Sequence, residues 1–129
     1  MAGYLLTKKH LLENDLNVLK VNISIPRICG SDRNQCIRGS TAFGSIMERN
    51  NLGVVIPSMK NPQPAINTTF FEGGYITSNY IGDIDAIQTE LPPFLTSTSS
   101  RRTHAKNYAA AIVDYMQANN FLRSSITSD

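Results

Sequence analysis

Residues 70–93 read FFEGGYITSNYIGDIDAIQTELPP, and two runs within this stretch have the β-branched and aromatic composition typical of strands. We therefore predict strands over residues 75–80 and 84–91, with a turn at the intervening glycine. Glu90 is the last polar residue of the second run before two prolines. Because catalytic groups of α/β enzymes often lie where a strand leaves the sheet, Glu90 is the first catalytic candidate.

The rest of the chain predicts helices packed around such strands. A helix is expected after the N-cap pair Ser40–Thr41, and a longer one over residues 102–121. A short buried strand is expected at residues 54–56, followed by a proline-rich loop over residues 57–69. This order of elements predicts an α/β fold with a mixed sheet and packed helices.

Composition places the chain among globular proteins with a single domain, here residues 1–129. Hydrophobic residues make up 41% of the chain, which is enough for one core, and the mean hydropathy of -0.19 does not fit a disordered chain. A net charge of +2 is too small to predict nucleic-acid binding. No apolar run approaches the roughly 18 residues that span a bilayer, and no secretion signal opens the sequence. We therefore expect a cytoplasmic protein without a membrane partner.

The two cysteines, Cys29 and Cys36, match no common zinc or redox spacing. The interpretation that fits a cytosolic protein is a pair of reduced thiols. The alternative is a disulfide, which requires an oxidising compartment.

Glu90 has the surroundings of a general base if the second run is a strand. Alternation along residues 84–91 puts Gln88 and Glu90 on one face, together with the apolar residues Ile84 and Ala86. A carboxylate close to apolar side chains suits proton transfer. The alternative is a solvated acid at the end of a strand.

The other candidates are a glycine pair and an arginine. Gly73 and Gly74 allow either a tight turn or a close approach of the backbone to a ligand, but they do not form a phosphate-binding loop. Arg38, ahead of a predicted helix, has the planar donors that grip a carboxylate. A surface ion pair is its alternative role.

Metal ligation has little support from the residues themselves. The only histidines are His10 and His104, and neither belongs to a ligand motif. A catalytic zinc ion takes three protein ligands, commonly histidine with glutamate or aspartate. No such set can be assembled, so no metal ligand is predicted in this chain.

Four blocks nevertheless carry a resemblance to a known family. They occur in the order IRGS at 37–40, VIPS at 55–58, FEGGYIT at 71–77 and IDAIQTE at 84–90. In this order they resemble the C-terminal half of the N-formylglutamate amidohydrolase-like family. The resemblance implies a zinc-dependent hydrolase of N-acyl amino acids. It also implies a three-layer α/β core like that of zinc carboxypeptidases and phosphorylase/hydrolase-like domains.

The resemblance also implies roles for individual residues. Glu90 takes the place of the carboxylate that activates the zinc-bound water. The substrate pocket would be lined by Arg38, Gly73, Gly74, Tyr75 and Thr77. Members of the family often carry an Arg-His pair where this chain has Ser78 and Asn79, which affects the expected substrate preference.

The metal-binding motifs of the family lie upstream of anything that matches this chain. We therefore expect the C-terminal portion of a larger amidohydrolase-like domain, which is inactive alone and binds no zinc itself. The alternative is a non-catalytic module that associates with another chain, for instance through an exposed sheet edge. A third possibility is a small independent enzyme that uses Glu90 and nearby polar groups.

Overall fold

Two short strands that are far apart in the sequence pair in an antiparallel sheet, with Ala2 opposite Thr89 and Gly3 opposite Gln88. The computed structural model describes residues 1–72 and 74–122. Its elements, in chain order, are β1 (Ala2–Gly3), α1 (Lys8–Leu11), a 3-10 turn (Leu16–Val18), α2 (Pro26–Cys29), α3 (Arg33–Arg38), α4 (Phe43–Arg49), α5 (Tyr75–Asn79), β2 (Gln88–Thr89), α6 (Pro93–Thr96) and α7 (Arg101–Ala118).

The two predicted helices are confirmed, and they pack on each other. α7 covers most of the range predicted for it. The helix ends at Ala118, and Asn120 beyond it has a φ of 61°. α4 begins at Phe43, whose ring meets the rings of Tyr108 and Tyr115 edge-on, with centroids 6.1 Å and 5.1 Å away. No helix within the described residues is long and apolar enough to cross a bilayer.

Fully buried apolar side chains connect these helices to the strands and to the N-terminal segments. They include Tyr4, Leu11, Ile25, Ile37, Ile46 and Ala111. The structure therefore has the predicted mixture of helix and sheet, although its regular elements are mostly helical.

The strand predicted at residues 75–80 is wrong, because Tyr75–Asn79 is the helix α5. Short side chains explain the difference. The Thr77 hydroxyl accepts a hydrogen bond from Gly74 N (3.0 Å) and donates one to Gly74 O (2.9 Å). The Ser78 hydroxyl donates to Tyr75 O (3.0 Å), which ties the next turn together. Such local bonds stabilise a turn against the extended conformation that the β-branched residues favour.

Two other predicted strands are reduced or absent. Of residues 84–91, only Gln88–Thr89 forms a strand, since only this part lies opposite β1. Residues 54–56 form no strand, because Val55 N donates to the carboxylate of Glu48 (2.9 Å) instead of to a neighbouring strand.

The prediction of two reduced thiols is also wrong. Cys29 and Cys36 form a disulfide, with their Cα atoms 5.0 Å apart. The chain turns sharply between α2 and α3 at Gly30, whose φ of +53° is favourable for glycine, and this turn brings the two cysteines together.

Gly44 allows α4 to approach the loop at Pro57. A Cβ atom built on Gly44 would lie 2.0 Å from Pro57 O. We expect Gly44→Ala to lower the free energy of unfolding by about 2 kcal/mol or more through crowding, although alanine favours a helix by about 1 kcal/mol. Urea unfolding followed by circular dichroism measures the change.

Gly30→Ala is the matched control for Gly44→Ala. An added Cβ at Gly30 would meet no atom within 4 Å, so alanine there causes backbone strain at a positive φ without crowding. A Gly44→Ala variant as stable as the wild type would show that α4 does not lie against Pro57 in solution.

Tyr115 has a buried hydroxyl without a hydrogen-bond partner among the described residues. Burial, with a smaller contribution from the charge of Asp85, raises its pKa to about 12 from 10.0. The unfolded tyrosine ionises first, so the stability from this group is complete below pH 10.0 and is lost as the pH rises through about 12.

We expect Tyr115→Phe to raise stability by about 1 kcal/mol at neutral pH, because it removes an unsatisfied buried hydroxyl. The variant should also lose less stability than the wild type under alkaline conditions. Tyr80→Phe is the control, since Tyr80 is exposed. Urea midpoints at pH 7 and at alkaline pH test both expectations, and equal alkaline losses in Tyr115→Phe and wild type would contradict them.

Candidate functional site

Two of the sequence-predicted site residues, Gly74 and Glu90, lie against one side chain, that of Gln88. Gly74 directly precedes α5, and Glu90 directly follows β2. We call the group of Gly74, Gln88 and Glu90 the Gln88 cluster. Gly73 lies outside the described residues, and Arg38 belongs to another part of the fold.

Alternation along the extended segment 87–91 gives it two chemically different sides. On one side, the Thr89 hydroxyl lies 2.9 Å from the hydroxyl of Tyr108 on α7, and Ile87 packs against the core. The side chains of Gln88 and Glu90 lie on the other side, as the sequence predicted. The polar side of this segment is therefore turned away from α7.

The carboxylate of Glu90 is held by its neighbour two residues earlier. Gln88 Nε2 donates to Glu90 Oε1 over 2.8 Å. The backbone of Glu90 is fixed as well, because Glu90 N donates to Met1 O (2.9 Å) and Met1 N donates to Glu90 O (2.8 Å). Glu90 is thus a half-buried acid with a defined position and a carboxylate oxygen, Oε2, that accepts no hydrogen bond from the described residues.

Gly74 is the point where the backbone comes closest to this cluster. A Cβ atom built on Gly74 would lie 1.4 Å from Gln88 Oε1, so a larger residue would displace the Gln88 amide. The Gly74 backbone thus lies close to a side chain of this chain, and its predicted close approach to a ligand stays a prediction. Its φ of -144° is extended, so it makes no left-handed turn.

Thr77 and Tyr75 do not present free polar groups to the cluster. The Thr77 hydroxyl is buried and bonded within the first turn of α5. Tyr75 has 81% of its side chain exposed to solvent.

Arg38, the last residue of α3, forms hydrogen bonds with the loop over residues 11–14. Its guanidinium donates to Leu11 O (3.4 Å), Glu13 O (2.9 Å), Asn14 O (2.8 Å) and Asn34 Oδ1 (3.0 Å). Burial lowers the pKa of Arg38, and the charge of Asp15 partly opposes the shift. The hydrogen bonds of Arg38 tie the loop over residues 11–14 to α3. The contact of Arg38 with a substrate carboxylate stays a prediction.

The described donors do not fit a zinc ion by themselves. Residues 1–72 and 74–122 contain no group of three His, Cys, Asp or Glu side chains placed to hold a metal. His10 Nδ1 accepts from Thr7 N (3.2 Å), and His104 Nδ1 lies 3.3 Å from Leu95 O. The two cysteines are joined to each other.

Comparison of the chain with protein-family models, with curated proteins and with solved structures gave no match. The family resemblance therefore rests on the four sequence blocks. No role is predicted for Gln88 from the sequence. Gln88 lies two positions before Glu90 on the same strand face, and this spacing is the sequence signal that predicts their contact.

We expect Arg38→Lys to lower the free energy of unfolding by about 1–2 kcal/mol, because an ammonium group cannot reach four acceptors spread around a planar guanidinium. Arg102→Lys, at an exposed position on α7, should change stability little. Thermal or urea unfolding compares the two. Equal stabilities of both variants would mean that the loop over residues 11–14 does not depend on Arg38.

Proposed function

We propose that this chain is the carboxylate-bearing portion of a zinc-dependent amidohydrolase-like protein that acts on N-acyl amino acids, and that it is inactive alone. Glu90 is the proposed general base. The observation that supports the proposal is the hydrogen bond within the Gln88 cluster. Gln88 Nε2 donates to Glu90 Oε1, which leaves Glu90 Oε2 available to accept a proton.

The position of Glu90 depends on contacts between distant parts of the chain. Gly74 must lack a side chain for Gln88 to lie where it does, and the start of β1 fixes the backbone of Glu90. A general base has to be held in a defined position before it can take a proton from a bound water. This support from separate segments is what favours a site over an ordinary solvated acid.

The finer fold that we propose is the C-terminal part of a three-layer domain. Met1 and Glu90 exchange both of their backbone hydrogen bonds. In an antiparallel pair this turns the N–H and C=O of Thr89 away from β1. Further strands, from residues other than these 129, would extend the sheet at that edge.

The side chains that hold the zinc ion would come from those same additional residues. When bound, it would polarise a water molecule for attack on the amide carbonyl. Glu90 of this chain would accept the proton of that water at its carboxylate. Arg38 remains the proposed contact for a substrate carboxylate, through guanidinium N–H groups other than those that bond to the loop over residues 11–14.

The first test uses the purified chain of 129 residues. We expect metal analysis to find far less than one zinc ion per chain, and N-formyl amino acids to remain intact on incubation. Zinc close to one per chain, together with hydrolysis that Glu90→Gln abolishes and Glu13→Gln does not, would refute the inactivity of the chain alone.

The role of Glu90 is tested in a longer protein, if the reading frame upstream of Met1 encodes histidine-rich motifs. There, Glu90→Gln should lower kcat by about 10²–10⁴-fold at unchanged zinc content, as expected for loss of a general base. Glu13→Gln is the control, because Glu13 is exposed and lies outside the Gln88 cluster. Full activity of the Glu90→Gln protein would exclude Glu90 as the base.

A second candidate function, association with another chain, is favoured by apolar side chains on and after α5. The exposed residues are Tyr75, Ile76, Tyr80, Ile81 and Ile84. Contiguous apolar surface of this kind marks interaction sites in many proteins. Light scattering tests self-association first, with Ile76→Lys expected to weaken it and Val18→Lys, at another exposed position, as control. A monomer at every concentration counts against self-association.

A further inference from the structure

A groove of about 380 Å³ lies beside the first two turns of α7, on the side of segment 87–91 that is opposite to the Gln88 cluster. We call it the α7 groove. Its volume is within the range of small-molecule sites in proteins. It is formed by side chains from α6, α7 and the segments before them, and the proposed hydrolase function does not involve it.

The floor of the α7 groove is apolar. Leu52 and Leu95 are buried beneath it, and Leu91 lies along it with part of its side chain exposed. The ring of Tyr108 forms one wall of the groove. Its hydroxyl is hydrogen-bonded to the Thr89 hydroxyl (2.9 Å) and therefore needs no partner from a ligand. An apolar ligand body would gain about 25 cal/mol for each Å² of apolar surface that it covers.

The described lining of the groove has one charged side chain, that of Arg101, with the imidazole of His104 beside it. Arg101 and His104 lie three residues apart on α7 and both line the groove, so they are neighbours on the helix surface. None of the described lining residues is acidic, and the first turn of α7 contains no acid. The positive end of the helix dipole adds to the same potential.

The position of His104 is defined by its surroundings. Its Nδ1 lies 3.3 Å from Leu95 O, and the ring of Phe94 meets it edge-on with centroids 6.1 Å apart. Phe94 is in turn close to Gly53, where an added Cβ would lie 3.2 Å from the ring. The imidazole is therefore held beside the groove, with Nε2 directed away from the Leu95 carbonyl.

We propose that the α7 groove binds a small organic anion that has an apolar body, such as an aliphatic carboxylate. The apolar floor accommodates the hydrocarbon, and the guanidinium of Arg101 pairs with the carboxylate. A neutral ligand of the same length would fill the floor but leave Arg101 without a partner, and an alkylammonium ion would be repelled by it.

The test compares octanoate with 1-octanol on the 15N-labelled chain of 129 residues by NMR titration. Octanoate should shift the amide signals of Leu95 and Ala105 in a saturable way and bind more tightly than octanol. Arg101→Gln should weaken octanoate binding by about threefold, the size expected for one exposed charge pair, and leave octanol binding unchanged.

Ala105→Leu gives a second test, because Ala105 is an exposed helix position that lines the groove. The larger side chain should block octanoate, whereas Ala110→Leu, at an exposed position of the same helix, should not. Equal affinities for octanoate and octanol, shifts outside the groove, or titrations without saturation would each overturn the proposal.

Discussion

The backbone pairing of Met1 with Glu90 is the contact on which the arrangement of this chain depends. The two residues, 89 positions apart in the sequence, exchange hydrogen bonds of 2.8 Å and 2.9 Å. This pairing continues the β1–β2 ladder by one residue pair and fixes the backbone of the segment that follows β2. Because side chains alternate along it, the same backbone presents Gln88 and Glu90 on one side and Thr89 and Leu91 on the other. Both proposed sites follow from that alternation.

Sequence patterns predicted the long elements correctly and the short ones poorly. α7 is predictable because its apolar spacing persists over several turns. α5 was mistaken for a strand because Thr77 and Ser78 stabilise the helical turn through their own hydroxyls, a local effect that composition does not reveal. The strand at residues 84–91 is short because its length depends on its partner. β1 spans only Ala2–Gly3, and nothing in the sequence of the later strand records that limit.

The candidate site divides in the same way. The shared face of Gln88 and Glu90 follows from strand alternation, and the structure places their side chains in contact. Arg38 could not be placed from its neighbours, because its acceptors belong to the loop over residues 11–14 and to Asn34. The disulfide was missed for a related reason: the cysteine spacing fits no motif, and the turn at Gly30 that joins Cys29 to Cys36 appears only in the fold.

Electrostatics separates the two sides of segment 87–91. On the Gln88 side, the carboxylate of Glu90 repels an anionic substrate unless a cation lies between them. The hydrogen bonds of Arg38 are with the loop over residues 11–14 and with Asn34, not with the Gln88 cluster. On the α7 side, Arg101 and His104 stand beside an apolar floor with no acidic neighbour among the described lining residues. An organic anion that meets this chain alone therefore gains more at the α7 groove than at Glu90. The Gln88 side becomes favourable for such a ligand only when a cation lies close to it.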